Sequence, residues 1–316
     1  MFLTSQLCQI AMMCLTLGLL PASASAQEVT SDPDAVRLEV ADIRRLARVV
    51  DSIEAGGVQD TSAVIERDYL ALASPGLRVY AEQYGVTADG ITAAISAEPW
   101  RYAELDSLAD AILAQRDELQ ASFGQVIDLI PGAVFPPIWF IVGNNGPGGL
   151  TRPEGVLIAA ERYVDQPGDV VPLVLHELAH FQQAVAQGAE TYRRIYGPDG
   201  TLLALALREG SAELIAELTT GRHINPAAER YGLEHEKELW SSFREVMHNN
   251  EPGDWMFVFP SNPEWPPDLG YWIGYRIAKS YYDQADDKRQ AINDILALTD
   301  FDAFLEASGY AERVGR

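Results

Sequence analysis

Leu175-His176-Glu177-Leu178-Ala179-His180-Phe181 sets an H-E-x-x-H pattern inside an apolar run, and on a helix that spacing stacks the two imidazoles on one face. Val170, Val171, Leu173 and Val174 precede the pattern, and Asp169 and Pro172 mark a helix start. Residues 169–188 therefore read as a helix that is apolar on most sides, hence a buried one. Two histidines and a glutamate in such a helix are costly to desolvate unless something satisfies them. One metal ion can use both rings; core histidines bonded to backbone are the alternative. Glu177 is rotated off the line of the rings, where it can act on a metal-coordinated water without being a ligand.

A catalytic metal site of this kind wants a third protein ligand and one open position. A further histidine shortly downstream is excluded, because Gln183 and Ala186 stand where that pattern needs glycine and histidine. Leu207-Arg208-Glu209-Gly210-Ser211-Ala212-Glu213, in a second helix over 201–221, supplies a carboxylate instead. Glu209 is the candidate third ligand. Glu213, one turn later on the same face, is placed to accept the outer N–H of a ligand histidine.

Outward from these helices the texture divides the chain. Residues 27–125 read as mostly helical: an amphipathic run over 34–55, shorter helices over 72–97 broken at Pro75 and Gly90, and a run carrying Leu105, Leu108, Ile112 and Leu119 on one face. Ile138-Trp139-Phe140-Ile141-Val142 and Gly155-Val156-Leu157-Ile158-Ala159 read as strands around a turn-rich loop over 144–149. Further helices are predicted over 234–248, 269–284 and 288–298. Strands followed by helices, after a helical front half, give an α+β fold. The loop holds no Gly-Lys-Ser/Thr, and the chain has no G-x-S-x-G, so phosphate-loop and serine-hydrolase chemistry have no support.

A formal charge of −23 argues against nucleic acid as a partner, since phosphates would be repelled. Residues 1–26 read as a signal peptide: a short apolar run from Ile10 to Leu20, then Ala24-Ser25-Ala26 in the A-x-A form, with a mature start at Gln27. The run is too short for a comfortable membrane span, although no Lys or Arg precedes it, which leaves a retained anchor as the alternative. Met13 argues against lipid attachment at Cys14. Cys8 and Cys14 both lie in this segment, so the expected mature chain has no thiol chemistry. An exported protein, periplasmic or secreted, follows from these signals.

The H-E-x-x-H pattern followed by Glu209-x-x-x-Glu213 on a second helix resembles the gluzincins, the thermolysin-like and aminopeptidase-N-like metallopeptidases. The Arg-Glu-Gly-Ser-Ala stretch is similar to the matching helix of the aminopeptidase-N-like enzymes. The His180 to Glu209 separation is longer than in well-known members, which points to an inserted loop around Tyr196-Gly197-Pro198-Asp199-Gly200. More narrowly, the order of strand, Gly-rich loop, HELAH, REGSAE and then Leu269-Gly270-Tyr271-Trp272-Ile273-Gly274-Tyr275 resembles a bacterial family of predicted Zn-dependent proteases of unknown substrate, which includes relatives of a gliding-motility lipoprotein.

The resemblance implies a zincin-like domain over 126–316, a small mixed sheet with active-site helices. It implies zinc held by His176, His180 and Glu209, Glu213 steadying a histidine, and Glu177 as general base in peptide hydrolysis. It also implies an oxyanion donor, for which Tyr271 is preferred over Tyr275, with His223, His235 and His248 as further donors. By the same likeness, the strand over 155–159 is an edge strand that pairs with extended substrate, and Gly148-Gly149-Leu150 lines the cleft with it. Two rivals stand beside the peptidase: an envelope assembly or binding protein that keeps the scaffold without turnover, and a hydrolase of a non-peptide amide.

Overall fold

The computed structural model describes residues 29–197 and 200–315. The expected signal segment with both cysteines, and Pro198 and Asp199 of the expected inserted loop, lie outside the described residues. The N-terminal part holds a short strand, β1 (Leu38–Glu39), then α1 (Ala41–Glu54), α2 (Thr61–Asp68), α3 (Pro75–Tyr84), α4 (Ala88–Ala97), α5 (Leu105–Leu113) and α6 (Arg116–Leu129). Pro75 opens α3 rather than breaking a helix: it occupies the first turn, behind Ser74, whose hydroxyl accepts the Leu77 N–H. The break expected at Gly90 falls instead at Gly85, which closes α3 in the left-handed conformation, and Gly90 lies inside α4. The amphipathic run expected from residue 34 starts later, because Leu38 and Glu39 are drawn into strand pairing.

The sheet has the order β1-β2-β4-β3, with β2 (Ile138–Ile141), β3 (Gly149–Arg152) and β4 (Gly155–Ala159). β1 pairs parallel with β2, and β2 parallel with β4, while β3 runs antiparallel along β4. Every residue of β2 and β4 is buried, as unbroken apolar strands are when both sheet faces are covered. The strand over 155–159 is thus interior, not the edge expected for it. The edge next to it is β3, which pairs on one side only, and β1 forms the opposite edge.

After the sheet come α7 (Val170–Gln187), α8 (Ala189–Ile195), α9 (Leu202–Thr220), α10 (Pro226–Val246), α11 (Leu269–Gln284), α12 (Lys288–Leu296), α13 (Phe301–Ala307) and α14 (Tyr310–Val314). The fold is α+β, a small mixed sheet among helices. α7 lies against β3 and β4 on one side and against α9 on another, and α9 packs on α11.

Contact between α9 and α11 is backbone to backbone. A Cβ on Gly210 would lie 1.9 Å from the Tyr275 nitrogen, and one on Gly274 only 1.7 Å from the Ala206 carbonyl oxygen. Only glycine permits that approach, so the two glycines fix how far α11 stands from Glu209. Gly274→Ala is expected to destabilise the fold by about 3 kcal/mol through overpacking, read as a lowered midpoint in urea denaturation. An unchanged midpoint would show that the helices can part without cost.

Candidate metal centre

α7 carries His176 and His180 one turn apart, and α9 crosses it to bring Glu209 between them. All three are buried, at 6%, 6% and 4% exposure. His176 Nε2 and His180 Nε2 lie 3.1 Å apart, and Glu209 Oε2 is 3.2 Å from the first and 3.0 Å from the second. Among the described residues this is the one group of three such side chains able to hold a metal ion.

The protons around the site are fixed by its neighbours. Gln183 donates its amide N–H to the Arg208 carbonyl at 2.9 Å, which turns its oxygen toward His180 Nδ1 at 2.8 Å. That oxygen can only accept, so Nδ1 of His180 carries a proton and Nε2 of the neutral ring presents a lone pair. While the ring is neutral, that lone pair and a carboxylate oxygen 3.0 Å away repel unless a proton or a metal ion lies between them. On the other side, Arg208 donates to Glu209 Oε1 through Nε at 2.9 Å and through Nη2. One carboxylate oxygen is thereby taken and the other is left for the rings.

Burial works against the charge of Glu209, but the Arg208 guanidinium and the imidazoles hold its carboxyl well below the usual carboxylate range. Burial alone would lower the His180 pKa, yet the charge and hydrogen bond of Glu209 raise it above the ordinary histidine value. A proton on His180 would compete with any metal ion held here, so such an ion would be bound less tightly as the pH is lowered.

Glu177 sits beside the group, walled by the edge strand. The Thr151 hydroxyl of β3 donates toward the Glu177 carbonyl at 2.6 Å and lies 2.8 Å from Oε2 of its carboxylate. A Cβ on Gly149 would come within 2.3 Å of Oε1, so the absence of a side chain there makes room for the carboxylate. The loop that leads into β3 is held from the N-terminal helices: Tyr69 and Tyr80 donate to the carbonyls of Val142 and Pro147 at 2.5 and 2.6 Å. Glu161, fully buried, accepts the N–H groups of Gly143 and Asn145.

Tyr271 is half-buried on α11, with its ring stacked on His176 at 6.2 Å between centroids. Burial, then the Glu209 charge, pushes its hydroxyl well above the usual tyrosine range, so it remains a donor. Tyr275, one turn on, is committed elsewhere: its hydroxyl donates to Glu217 at 2.6 Å, and its ring stands edge-on to His223. His235 bonds the Tyr231 carbonyl at a kink in α10, and exposed His248 faces Asp302. Neither belongs to the metal group.

Glu213 does not take the outer N–H of a ligand histidine. His176 Nδ1 and Glu213 Oε2 are both buried without a hydrogen-bond partner, and the outer N–H of His180 goes to Gln183. Burial, reinforced by the Glu209 charge one turn away, pushes the Glu213 carboxyl well above the carboxylate range, and it faces His223 at 3.7 Å. Sequence reasoning missed Gln183, although its spacing of three from His180 on one helix face was a usable signal. It also missed Arg208, adjacent to Glu209, and Thr151, whose strand has no sequence signature.

A family model described as Gliding motility protein GldB matches residues 234–312. Comparison with curated proteins and with solved structures finds no match. The matched stretch takes in the later part of α10 and the helices to α14, with Tyr271 and Tyr275, but not His176, His180 or Glu209. The gliding-motility part of the sequence resemblance stands on this match. No helix among the described residues is long and apolar enough to cross a membrane.

Gln183→Leu is expected to weaken metal binding about 10- to 100-fold by freeing the His180 tautomer, with little change in melting temperature before metal is added. Competition with a chromogenic chelator measures it. Undiminished affinity would remove Gln183 as the group that orients His180.

Proposed function

We propose that this chain is an exported zinc-dependent peptidase, with the metal on His176, His180 and Glu209 and with Glu177 as general base. The observation that carries the reading is the convergence of three donor atoms at 3.0–3.2 Å beside a fourth residue, the acidic Glu177, that is not one of the three. Donors about 2.0–2.2 Å from a tetrahedral zinc stand about 3.3 Å from one another, close to these separations. Two imidazoles and one carboxylate suit zinc and leave one coordination position open. When bound, zinc supplies Lewis-acid polarisation of the scissile carbonyl and lowers the pKa of a water.

The chain's own residues do the rest. Glu177, anchored by Thr151, takes the proton of the attacking water and returns it to the leaving amine. Tyr271, its hydroxyl kept protonated, donates to the oxyanion as it develops. Arg208 and Gln183 hold Glu209 and His180 in place from outside the ligand set. The signal-peptide pattern and the envelope-associated family name support export, to the periplasm or beyond. The substrate is a peptide or protein.

The family match favours a second reading, an envelope assembly or binding protein that keeps this site without turnover. Glu177 weighs against it, because a merely structural metal site has no use for a buried carboxylate beside the ligands.

The test is a peptide-library profile of the purified mature chain beside Glu177→Gln. About one zinc per chain is expected in both proteins, with turnover in the variant reduced at least about a hundredfold. Equal turnover would remove Glu177 as the base. Metal-loaded protein that is inert toward every peptide would favour the scaffold reading.

A further inference from the structure

Tyr196 directly follows α8, at the start of the stretch expected as an inserted loop, and its half-buried ring packs against the core. Three helices hold it. The Tyr192 ring of α8 stands edge-on to it at 4.9 Å between centroids, and the Phe301 ring of α13 lies at 5.9 Å. Near the end of α7, the Gln187 amide donates to the Tyr196 hydroxyl at 3.3 Å and to the Leu296 carbonyl at 2.9 Å. Over the ring so held lies Arg208, its guanidinium carbon 5.4 Å from the ring centroid.

Arg208 needs such a seat. Adjacent residues of a helix point about 100° apart, so helical geometry alone does not turn Arg208 toward Glu209. Its side chain must bend round to set both Nε, at 2.9 Å, and Nη2 on one oxygen, Glu209 Oε1. Ordering a long arginine side chain costs conformational entropy. A fixed ring under the guanidinium offsets that cost, and the negative π face attracts the cation more strongly where water is scarce. The Arg208 side chain is 19% exposed.

We propose that Tyr196 is a positioning residue for the metal centre: its ring face holds the Arg208 guanidinium on Glu209 Oε1 and so keeps Oε2 turned to the two histidines. The inference rests on His176, His180 and Glu209 holding a metal ion, and it does not require turnover. It gives the long His180 to Glu209 separation a task, since the stretch that lengthens it carries the seat of the arginine. Without the ring face, Arg208 is free to swing away and the Glu209 carboxylate to rotate. The charges stay and the arrangement is lost, so the donors must be ordered again each time metal binds.

The test measures zinc affinity of the purified mature chain by chelator competition, without reference to activity. It compares the parent with Tyr196→Phe, with Tyr196→Leu, and with chains in which mono-, di- or trifluorophenylalanine replaces Tyr196. Fluorine drains negative charge from the ring face and barely changes its shape. Tyr196→Phe is expected to stay close to the parent, the fluorinated series to weaken step by step, and Tyr196→Leu to bind zinc about tenfold more weakly. On an Arg208→Met background the same series should be flat, because the ring acts through the arginine. Should Tyr196→Leu fail to fold, the fluorinated chains, close in shape to Tyr196→Phe, still decide. Affinity that is constant along the series, or that falls equally with and without Arg208, overturns the proposal and leaves the metal centre standing. A parent that binds no zinc removes the metal centre itself, and the role of Tyr196 with it.

Discussion

Three donor atoms that ought to repel one another sit within hydrogen-bond distance in a dry place, and most of the surrounding structure exists to keep them there. Two imidazole nitrogens and a carboxylate oxygen, each 3.0–3.2 Å from the others, are stable together when a proton or a metal ion is shared between them. Their supports are polar groups just outside the ring. Gln183 is fixed by the Arg208 carbonyl and fixes His180 in turn, while the Arg208 side chain takes the outer oxygen of Glu209. One residue, Arg208, thus serves both an imidazole and the carboxylate, through its backbone and its side chain.

Missing side chains set the distances. Gly210 and Gly274 let α9 and α11 touch along their backbones, which brings Tyr271 over His176. Gly149 lets the edge strand close over Glu177, and Thr151 then binds the same glutamate. The N-terminal helices act at one remove, through tyrosines that hold the loop into β3. A strand from that part also pairs with β2, so the sheet is built from both sides of the 125/126 division.

What the sequence disclosed follows from the range of the interactions. His176 and His180 were legible because helical spacing alone stacks them on one face with Glu177 beside them, and Glu209 because the next predicted helix, buried nearly all round, offered few other carboxylates. Helix ends marked by local chemistry, such as the Thr201 hydroxyl that accepts the Ala204 N–H, were also readable. β3 was not, since Gly-Leu-Thr-Arg has no run of branched residues and becomes a strand only by pairing with β4. The partner of Glu213 was misread for a related reason: spacing gives its face on α9 but not the charge of its neighbours, and two buried carboxylates one turn apart cannot both hold charge cheaply. The segment before α11 gave no periodic signal at all. Its contacts join residues far apart, Phe257 with Asp268 and with Tyr271.

The central claim is that two imidazoles and one carboxylate share a single ion. X-ray absorption at the zinc edge of the purified chain tests it most directly. The account predicts about one zinc per chain, in a shell of nitrogen and oxygen donors with the outer-shell signature of two imidazoles. A chain without stoichiometric metal, or a shell showing fewer than two imidazoles, would contradict it.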